Sequence, residues 1–124
     1  MKRNILIVED NKNLCELMSE ILNECDVTVA VDGIYGLKIA KIKIPDIVII
    51  DLNLPRMNGH EMIRKIKEDP KLKNMVLVVI SGTFNQLYVG EKVQGIDADA
   101  VFSKPLEMPK FKQWIETVPL PSRE

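Results

Sequence analysis

The sequence has no charge excess and no long apolar run, and these two absences narrow the classes of protein to which it can belong. Lysine and arginine number 17 against 18 aspartate and glutamate residues, so no basic surplus indicates nucleic acid or an anionic membrane as a partner. The longest apolar run, 75–80, is far too short to span a bilayer. The run 5–8 that follows Lys2-Arg3 is too short for a signal peptide. We therefore expect a cytoplasmic protein that binds neither membrane nor nucleic acid directly.

Cysteine and histidine are also scarce, which limits the available chemistry largely to oxygen and amine groups. The two cysteines, Cys15 and Cys25, are ten residues apart on one predicted helix. Ten helical residues span about 15 Å, which is too far for a disulfide, so we expect two reduced thiols. The one histidine, His60, follows a glycine near the start of a predicted helix, a poor position for a cation. We interpret it as a surface residue and not as a phosphoryl carrier.

What the chain does contain is a series of short apolar runs that predict strands. The runs at 5–8, 47–50 and 75–80 are apolar on both faces, which is typical of central strands in a parallel sheet covered by helices. The run at 27–30 is less uniformly apolar and predicts an edge strand. A fifth strand is predicted at 100–103.

Helical patterns separate the predicted strands. The first helix carries an apolar stripe from Leu14 to Leu22, and Asn13 with Glu16 resembles a capping box at its start. The second contains Gly36, which lowers helix propensity by about 1 kcal/mol and indicates a close helix–sheet contact. The second predicted helix covers about 34–44. A third passes through 62–66 and ends near 69, a fourth covers about 85–93 and a fifth about 109–118. This alternation predicts an α/β fold with a parallel sheet, in one domain over 1–124 whose tail, 119–124, is frayed.

Polar residues follow four of the predicted strands. Glu9 and Asp10 follow the first, Asp51 the third, Ser81 the fourth and Lys104 the fifth. Parallel strands bring these groups to one rim of the sheet, where ligands bind. Two carboxylates about 5 Å apart repel by roughly 3 kcal/mol at an effective dielectric near 20, so the cluster favours a bound cation. Because carboxylate and carbonyl oxygens are the ligands on offer, the sequence favours Mg²⁺ over Zn²⁺.

A carboxylate at a strand end, a metal, a hydroxyl and a lysine form a coherent set for phosphoryl transfer. Asp51 can attack phosphorus and become an aspartyl phosphate. Lys104 and the metal can neutralise the phosphoryl oxygens, and Ser81 can donate a hydrogen bond to one of them. Gly82 keeps the approach open, and the backbone carbonyl of Asn53 can face the metal.

Four motifs in this order and spacing make the chain resemble a response regulator receiver domain over essentially its whole length. They are Ile7-Val8-Glu9-Asp10-Asn11, the stretch from Ile50 to Gly59, Ile80-Ser81-Gly82 and Phe102-Ser103-Lys104-Pro105. The resemblance implies a flavodoxin-like, doubly wound fold with strand order 2-1-3-4-5 and helices on both faces of the sheet. It also implies a signalling domain of a two-component phosphorelay that catalyses its own phosphorylation and dephosphorylation.

The resemblance further assigns a role to each site residue. Asp51 matches the phosphoacceptor, Ser81 the switch hydroxyl and Lys104 the ammonium that pairs with the phosphoryl group. The Mg²⁺ ligands would be Asp10, Asp51 and the Asn53 carbonyl, with Glu9 acting through water. The bond between Lys104 and Pro105 is expected to be cis. The donor would be a phosphohistidine on a histidine kinase or phosphotransfer protein, and a downstream protein target is implied but not identified.

One position departs from the receiver pattern. Three residues before Lys104, where the family usually has tyrosine or phenylalanine, this chain has Val101. Phe102 is adjacent, but strand alternation points it to the opposite face. We therefore expect phosphorylation to be retained and the usual aromatic readout to be changed. The fourth predicted helix, which contains Gly90, is a candidate for the element that shifts or loosens instead.

Three alternatives remain open. A flavodoxin-like cofactor binder would need a phosphate loop after the first strand, where Glu9 and Asp10 would repel a phosphate. A haloacid-dehalogenase-like phosphatase would place its nucleophilic aspartate after the first strand, whereas Asp51 follows the third. A receiver that serves as an interaction module without phosphorylation has no sequence feature in its favour. The sequence leaves open whether the chain acts alone or is part of a longer protein, and whether it is a monomer or a dimer.

Overall fold

The computed structural model describes residues 2–82, 88–89, 92–93 and 96–121. Its strands are β1 (Asn4–Val8), β2 (Asp26–Ala30), β3 (Ile47–Asp51), β4 (Val76–Ser81), β5 (Tyr88–Val89), β6 (Lys92–Val93) and β7 (Ala100–Ser103). Its helices are α1 (Lys12–Ile21), α2 (Gly33–Lys43), α3 (Gly59–Glu68) and α4 (Met108–Thr117). Within the described ranges, no helix is long and apolar enough to cross a bilayer.

Five strands form one parallel sheet in the order β2-β1-β3-β4-β7. Since β7 is the fifth strand of this sheet along the chain, the implied order 2-1-3-4-5 is confirmed. The predicted edge position of β2 is also confirmed. In the register, Val8 lies beside Ile50, and Ile50 lies beside Val79. The central strands therefore end at nearly the same level, which aligns the residues that follow them.

Alternate strand residues build two cores, one on each face of the sheet. On the first, the α2/α3 face, the strand residues Leu6, Val8, Val48 and Ile50 pack with Leu37, Ala40, Met62, Ile63 and Ile66. On the second, the α1/α4 face, Ile5, Ile7, Ile47 and Ile49 pack with Cys15, Met18, Phe111 and Ile115. Helices cover both faces, as the resemblance implied. This double coverage explains why β1, β3 and β4 have no polar alternation.

The start of α1 differs from the sequence-based prediction. The N-cap is Asn11 and not Asn13, because the extended backbone of Asn11 (φ −80°, ψ 107°) directs its side chain at the helix start. The Asn11 Oδ1 accepts the Leu14 N–H at 3.1 Å. Asn13 already lies inside the first turn and is exposed. The helix therefore begins two residues earlier than the capping-box pattern indicated.

The helix predicted over about 85–93 is wrong for the four residues of that range that the structure describes. Tyr88–Val89 and Lys92–Val93 form a short antiparallel pair, with Tyr88 opposite Val93. Tyrosine and valine favour strands, and a glycine within the range weakens a helix, so the sequence pattern overstated the helical signal. The rest of this range, including Gly90, and the end of the tail, 122–124, lie outside the described residues.

Two glycines allow helices to approach the sheet closely enough to shape the site. A Cβ on Gly36 of α2 would lie 2.9 Å from a methyl group of Val8, which confirms the predicted close helix–sheet contact. A Cβ on Gly59, at the start of α3, would lie 2.6 Å from the Leu52 Cα. The Gly59 N–H donates to the Leu52 carbonyl at 3.0 Å. The loop that follows Asp51 is therefore held against the first turn of α3.

Candidate functional site

The polar residues at the strand ends meet at one edge of the sheet, as the sequence predicted. Lys104, which follows β7, donates from Nζ to Asp51 Oδ2 at 2.9 Å and to Glu9 Oε1 at 3.0 Å. Glu9 follows β1, and Asp51 is the last residue of β3. One ammonium therefore joins the ends of three strands. A charged lysine between two buried carboxylates offsets part of their mutual repulsion.

Three carboxyl groups form a compact oxygen cluster beside this lysine. Glu9, Asp10 and Asp51 each offer a carboxylate oxygen, and these oxygens lie within 4.8 Å of one another. Glu9 and Asp51 are buried, whereas Asp10 is exposed. The Glu9 Oε2 is buried and receives no hydrogen bond from the described protein groups. An orphaned buried acceptor in an all-oxygen set fits a hard divalent cation such as Mg²⁺.

The site shifts the pKa of its two buried carboxyl groups in opposite directions. The pKa of Glu9 is raised to about 7, first because burial disfavours its charged form and then because it shares a hydrogen bond with Asp51, while Lys104 opposes the rise. Burial also acts to raise the pKa of Asp51, but hydrogen bonds from Glu9, the Asn53 N–H and Lys104 outweigh it and lower the pKa below its ordinary value. Asp51 is therefore ionised at neutral pH, and Glu9 holds the more basic position.

Lys104 stays a cation in this environment. Burial acts to lower its pKa, but hydrogen bonds to Asp51 and Glu9 outweigh that effect and raise the pKa above its ordinary value. The positive charge is thus fixed 2.9 Å from Asp51 Oδ2. A fixed cation at this position can neutralise negative charge that is added to Asp51.

The loop after β3 orients the Asp51 carboxylate. The Asn53 N–H donates to Asp51 Oδ1 at 3.0 Å, so both oxygens of Asp51 have a donor. Asn53 itself is exposed at the rim of the site. The predicted role of its carbonyl as a metal ligand stays a prediction.

Ser81 and Gly82 lie where β4 ends. Ser81 is fully buried, pairs in register with Ser103, and accepts the Lys104 N–H through its backbone carbonyl at 3.0 Å. A Cβ added to Gly82 would meet no atom of the described residues within 4 Å. The peptide bond between Lys104 and Pro105 is cis, as the resemblance implied. The backbone therefore brings Ser81 and Lys104 to the same edge, while the switch role of the Ser81 hydroxyl stays a prediction.

Three contacts near the site have no counterpart in the sequence analysis. Asp32 caps α2 by accepting the Tyr35 N–H at 2.8 Å, and it also accepts from Arg56 at 3.4 Å in the loop beyond Asp51. The Cys15 thiol donates to the Glu9 carbonyl at 3.3 Å. An aspartate before a helix is a recognisable capping signal, but the partners Arg56 and Glu9 depend on chain packing and carry no local signal.

Val101 and Phe102 lie on opposite faces, as strand alternation predicted. Phe102 makes edge-to-face contacts with Phe111 at 5.2 Å and Trp114 at 6.0 Å between ring centroids on the α1/α4 face. Val101 packs against the core of the α2/α3 face. The neighbouring aromatic residue is therefore committed to packing with α4 and does not replace the missing aromatic group at position 101.

Comparison with known proteins agrees with this geometry. The chain is 32% identical over 120 residues to histidine kinase P4 of Formosa agariphila, covering 94% of this chain but only 8% of that protein's length. It is 26% identical over 120 residues to the polar-differentiation response regulator DivK of Brucella anthropi, covering 95% of this chain and 94% of DivK. The crystal structure of the phosphorylated cyanobacterial phytochrome response regulator RcpA superposes with a TM-score of 0.76 at 27% identity, over 98% of this chain and 100% of RcpA.

The family profile described as "Response regulator receiver domain" matches residues 5–116, which include every strand of the main sheet beyond Asn4 and every site residue. Taken with the parallel sheet in the order β2-β1-β3-β4-β7 and the acidic cluster at its carboxyl edge, this match places the chain in the response regulator receiver domain family.

Proposed function

We propose that this receiver domain takes a phosphoryl group onto Asp51 and thereby changes a protein-binding surface. The donor is a phosphohistidine on a histidine kinase or a phosphotransfer protein. The observation that carries this proposal is the ionised Asp51 carboxylate held between the Lys104 ammonium, at 2.9 Å, and the Asn53 N–H, at 3.0 Å. Its action is expected in the cytoplasm, and residues 1–124 act as one unit.

In the proposed reaction, a carboxylate oxygen of Asp51 forms a bond to phosphorus while the bond between phosphorus and the donor imidazole nitrogen breaks. The electron pair of that bond leaves with the imidazole, which ends the reaction as a neutral histidine after proton uptake. Lys104 is placed to neutralise the charge that the phosphoryl group brings. Hydrolysis of the acyl phosphate by water would later restore the Asp51 carboxylate.

The acidic cluster is the proposed Mg²⁺ site. Glu9, Asp10, Asp51 and the backbone carbonyl of Asn53 would hold the ion, which when bound neutralises phosphoryl oxygens and anchors them near Asp51. The buried Oε2 of Glu9, which receives no hydrogen bond from the described groups, supports this assignment. Because Asp10 is exposed, the cluster is open to solvent on that side, and the phosphoryl donor can approach from there.

Three further groups complete the proposed mechanism. Ser81 donates its hydroxyl to a phosphoryl oxygen, and Gly82, which has no described atom within 4 Å of a Cβ added to it, allows the donor to come close. Since Val101 has no aromatic ring, the phosphorylated state is read without the usual aromatic side chain at this position. A receiver that works without phosphorylation is the weaker alternative. It would give no reason to bury the Glu9 Oε2 without a hydrogen bond from the described groups, beside the Lys104 ammonium.

Labelling with acetyl phosphate tests the proposal. We expect intact-mass spectrometry to show one added phosphoryl group that requires Mg²⁺ and disappears in Asp51→Asn. Asp26→Asn removes an exposed carboxylate far from the cluster and is the matched control, which should label like the wild type. Failure of the wild-type protein to gain mass, together with absence of Mg²⁺ binding, would contradict the proposal.

A further inference from the structure

The loop between β3 and α3, residues 52–58, carries Asn53 at the edge of the acidic cluster. The Asn53 N–H donates to Asp51 Oδ1 at 3.0 Å, and its carbonyl is the Mg²⁺ ligand proposed above. The two ends of the loop meet, because the Gly59 N–H donates to the Leu52 carbonyl at 3.0 Å. The conformation between these ends therefore decides where the backbone groups of Asn53 point.

The tip of this loop has a backbone conformation that is unfavourable for its residue type. Arg56 has a φ of 70°, in the left-handed region that residues with long side chains seldom adopt. The Met57 N–H donates to the Pro55 carbonyl at 2.8 Å, which is the hydrogen bond of a γ-turn around Arg56. The γ-turn with positive φ is the rare and strained form. Strained conformations of this kind persist only where neighbouring elements hold them.

The element that holds the loop tip is the start of α2. Arg56 Nη1 donates to Asp32 Oδ2 at 3.4 Å, while Asp32 Oδ1 accepts the Tyr35 N–H of α2 at 2.8 Å. A Cβ added to Gly33 would lie 2.9 Å from the Met57 Cβ and nearer still to the Met57 carbonyl oxygen. Asp32 and Gly33 are both buried. The loop tip is thus held against the first turn of α2 by an ion pair and by a close backbone contact.

The same connection between β2 and α2 also touches the other side of the acidic cluster. The Glu9 N–H donates at 3.0 Å to the carbonyl of Ala30, the last residue of β2. The segment 30–33 therefore contacts both the backbone that carries Glu9 and the loop that carries Asn53. Both oxygens of Asp32 already accept hydrogen bonds, and Asp32 is not one of the three clustered carboxylates. Its contacts therefore orient the loop and do not add a ligand.

We propose that Asp32 and Gly33 are positioning residues for the proposed Mg²⁺ site. By holding the strained turn at Arg56, they keep the Asn53 carbonyl facing the acidic cluster. The inference rests on the proposed function, because it concerns the ion that phosphorylation of Asp51 requires. Loss of a group that orients metal ligands typically lowers metal affinity by about 10- to 100-fold. A loop that is released at its tip should therefore bind Mg²⁺ more weakly although every ligand is still present.

Gly33→Ala tests the backbone contact without a change of charge. The added methyl group would overlap backbone atoms of Met57, so the loop tip must move. Calorimetric titration with Mg²⁺ should show an affinity that is lower by about tenfold. In the metal-free protein, hydrogen exchange at the Asn53 amide should become faster, because the loop opens more readily. Ile115→Val is the control for lost stability: it truncates a fully buried side chain on the α1/α4 face and should leave Mg²⁺ affinity unchanged.

Arg56→Gln tests the ion pair, and the sign of its effect separates positioning from electrostatics. Loss of a positive charge by itself favours the binding of a cation. Release of the loop should instead weaken Mg²⁺ binding, by about threefold. Arg64→Gln is the matched control, because the Arg64 side chain is 61% exposed and pairs with Glu68 at 3.5 Å, whereas that of Arg56 is 63% exposed and pairs with Asp32 at 3.4 Å. This control should not weaken Mg²⁺ binding.

The outcomes separate this inference from the proposed function. A wild-type protein that binds Mg²⁺, with Gly33→Ala and Arg56→Gln binding it equally well, overturns the inference and leaves the proposed function standing. Tighter binding by Arg56→Gln, or an equal loss of affinity in Ile115→Val, also overturns the inference alone. A wild-type protein that binds no Mg²⁺ overturns both. Circular dichroism checks that each variant folds, and if Gly33→Ala does not fold, Arg56→Gln decides the result.

Discussion

Lys104 Nζ and Glu9 Oε1 are 3.0 Å apart although 95 residues separate them in the chain. The contact joins the residue after β1 to the residue after β7, which are the first and last strands of the main sheet along the chain. The same ammonium lies 2.9 Å from Asp51 Oδ2. The lysine thus has two roles: it keeps two carboxylates together, and it places a positive charge where a phosphoryl group would be added. Its removal should therefore affect both the cohesion of the site and the rate of phosphoryl transfer.

Lys104→Met should slow labelling of Asp51 by acetyl phosphate by roughly 10²-fold, because it removes a cation aimed at the charge that develops in the transition state. The rate of mass gain at saturating Mg²⁺ measures the effect. Lys110→Met removes an exposed lysine of α4 and should label at the wild-type rate. Equal rates in Lys104→Met and the wild type would argue against the role proposed for the ammonium.

The stability of the metal-free protein should fall with rising pH because of Glu9. Its pKa is raised from 4.5 to about 7, so the folded state favours the protonated form. The stability gained from that proton is fully present below about pH 4.5 and is lost as the pH rises through 7. The loss is expected to reach ~3 kcal/mol. The lowered pKa of Asp51 acts at lower pH and with the opposite sign.

Urea unfolding at several pH values in the presence of a chelator measures this trend. Glu9→Gln should flatten the fall between pH 4.5 and 7, because the amide does not titrate. Mg²⁺ should restore stability to the wild type near pH 7.5, since it binds the folded state alone. A wild-type unfolding free energy that does not change over this range would contradict the raised pKa of Glu9.

Gly36→Ala should destabilise the fold although alanine is the better helix former. The gain in helix propensity is about 1 kcal/mol, but the added Cβ would lie 2.9 Å from one Val8 methyl group and 3.0 Å from the other. Overpacking in a core costs ~1–3 kcal/mol. Combining Gly36→Ala with Val8→Ala removes the clash, so a double-mutant cycle in urea should show strong coupling. Additive effects would indicate that the contact is not the reason for the glycine.

Val101→Ala should leave the rate of phosphorylation within about twofold of the wild type, a change of less than about 1 kcal/mol in the barrier. Val101 packs on the α2/α3 face, and none of its atoms takes part in the proposed transfer. Its loss should appear in stability, by ~1 kcal/mol, because a half-buried side chain is truncated. Comparing labelling rate with urea midpoint in the same preparation separates the two effects. A large loss of labelling would assign Val101 a part in the site.

Asn11→Ala should destabilise the protein by ~1 kcal/mol, the usual loss when an N-cap side chain is removed. The lost bond is the one from the Leu14 N–H to Asn11 Oδ1 at 3.1 Å. Asn13→Ala is the matched control and should have little effect, because Asn13 is an exposed residue inside the helix. The reverse ranking in thermal or urea unfolding would restore the capping box that the sequence pattern indicated.

Much of the fold could be predicted because the signals are local. Apolar runs on both faces marked β1, β3 and β4, and the weaker run of β2 marked its edge position. The site residues could be predicted because each follows such a run, and the carboxyl ends of parallel strands share one edge. Glu9, Asp51 and Lys104 accordingly meet in the structure.

The errors arose where local signals compete. Around the start of α1, two asparagines could each cap the helix, and the path of the chain out of β1 selected Asn11. In the range 85–93, where Tyr88–Val89 and Lys92–Val93 are strands, a weak apolar periodicity was outweighed by the strand preference of tyrosine and valine. Periodicity counts apolar positions, and it does not record which backbone conformation the neighbouring elements allow.

Patterns within a few residues of each other were enough to locate the strands of the main sheet and most helices along the chain, and to show which side chains follow the strands at the carboxyl edge of the sheet. Tertiary packing was needed to show that Lys104 binds two carboxylates at once and that the pKa values of Glu9 and Asp51 move apart. It was also needed to show that α1 and α2 cover opposite faces of the sheet. These properties depend on burial and on distances between residues far apart in the chain, and both are set when the chain folds.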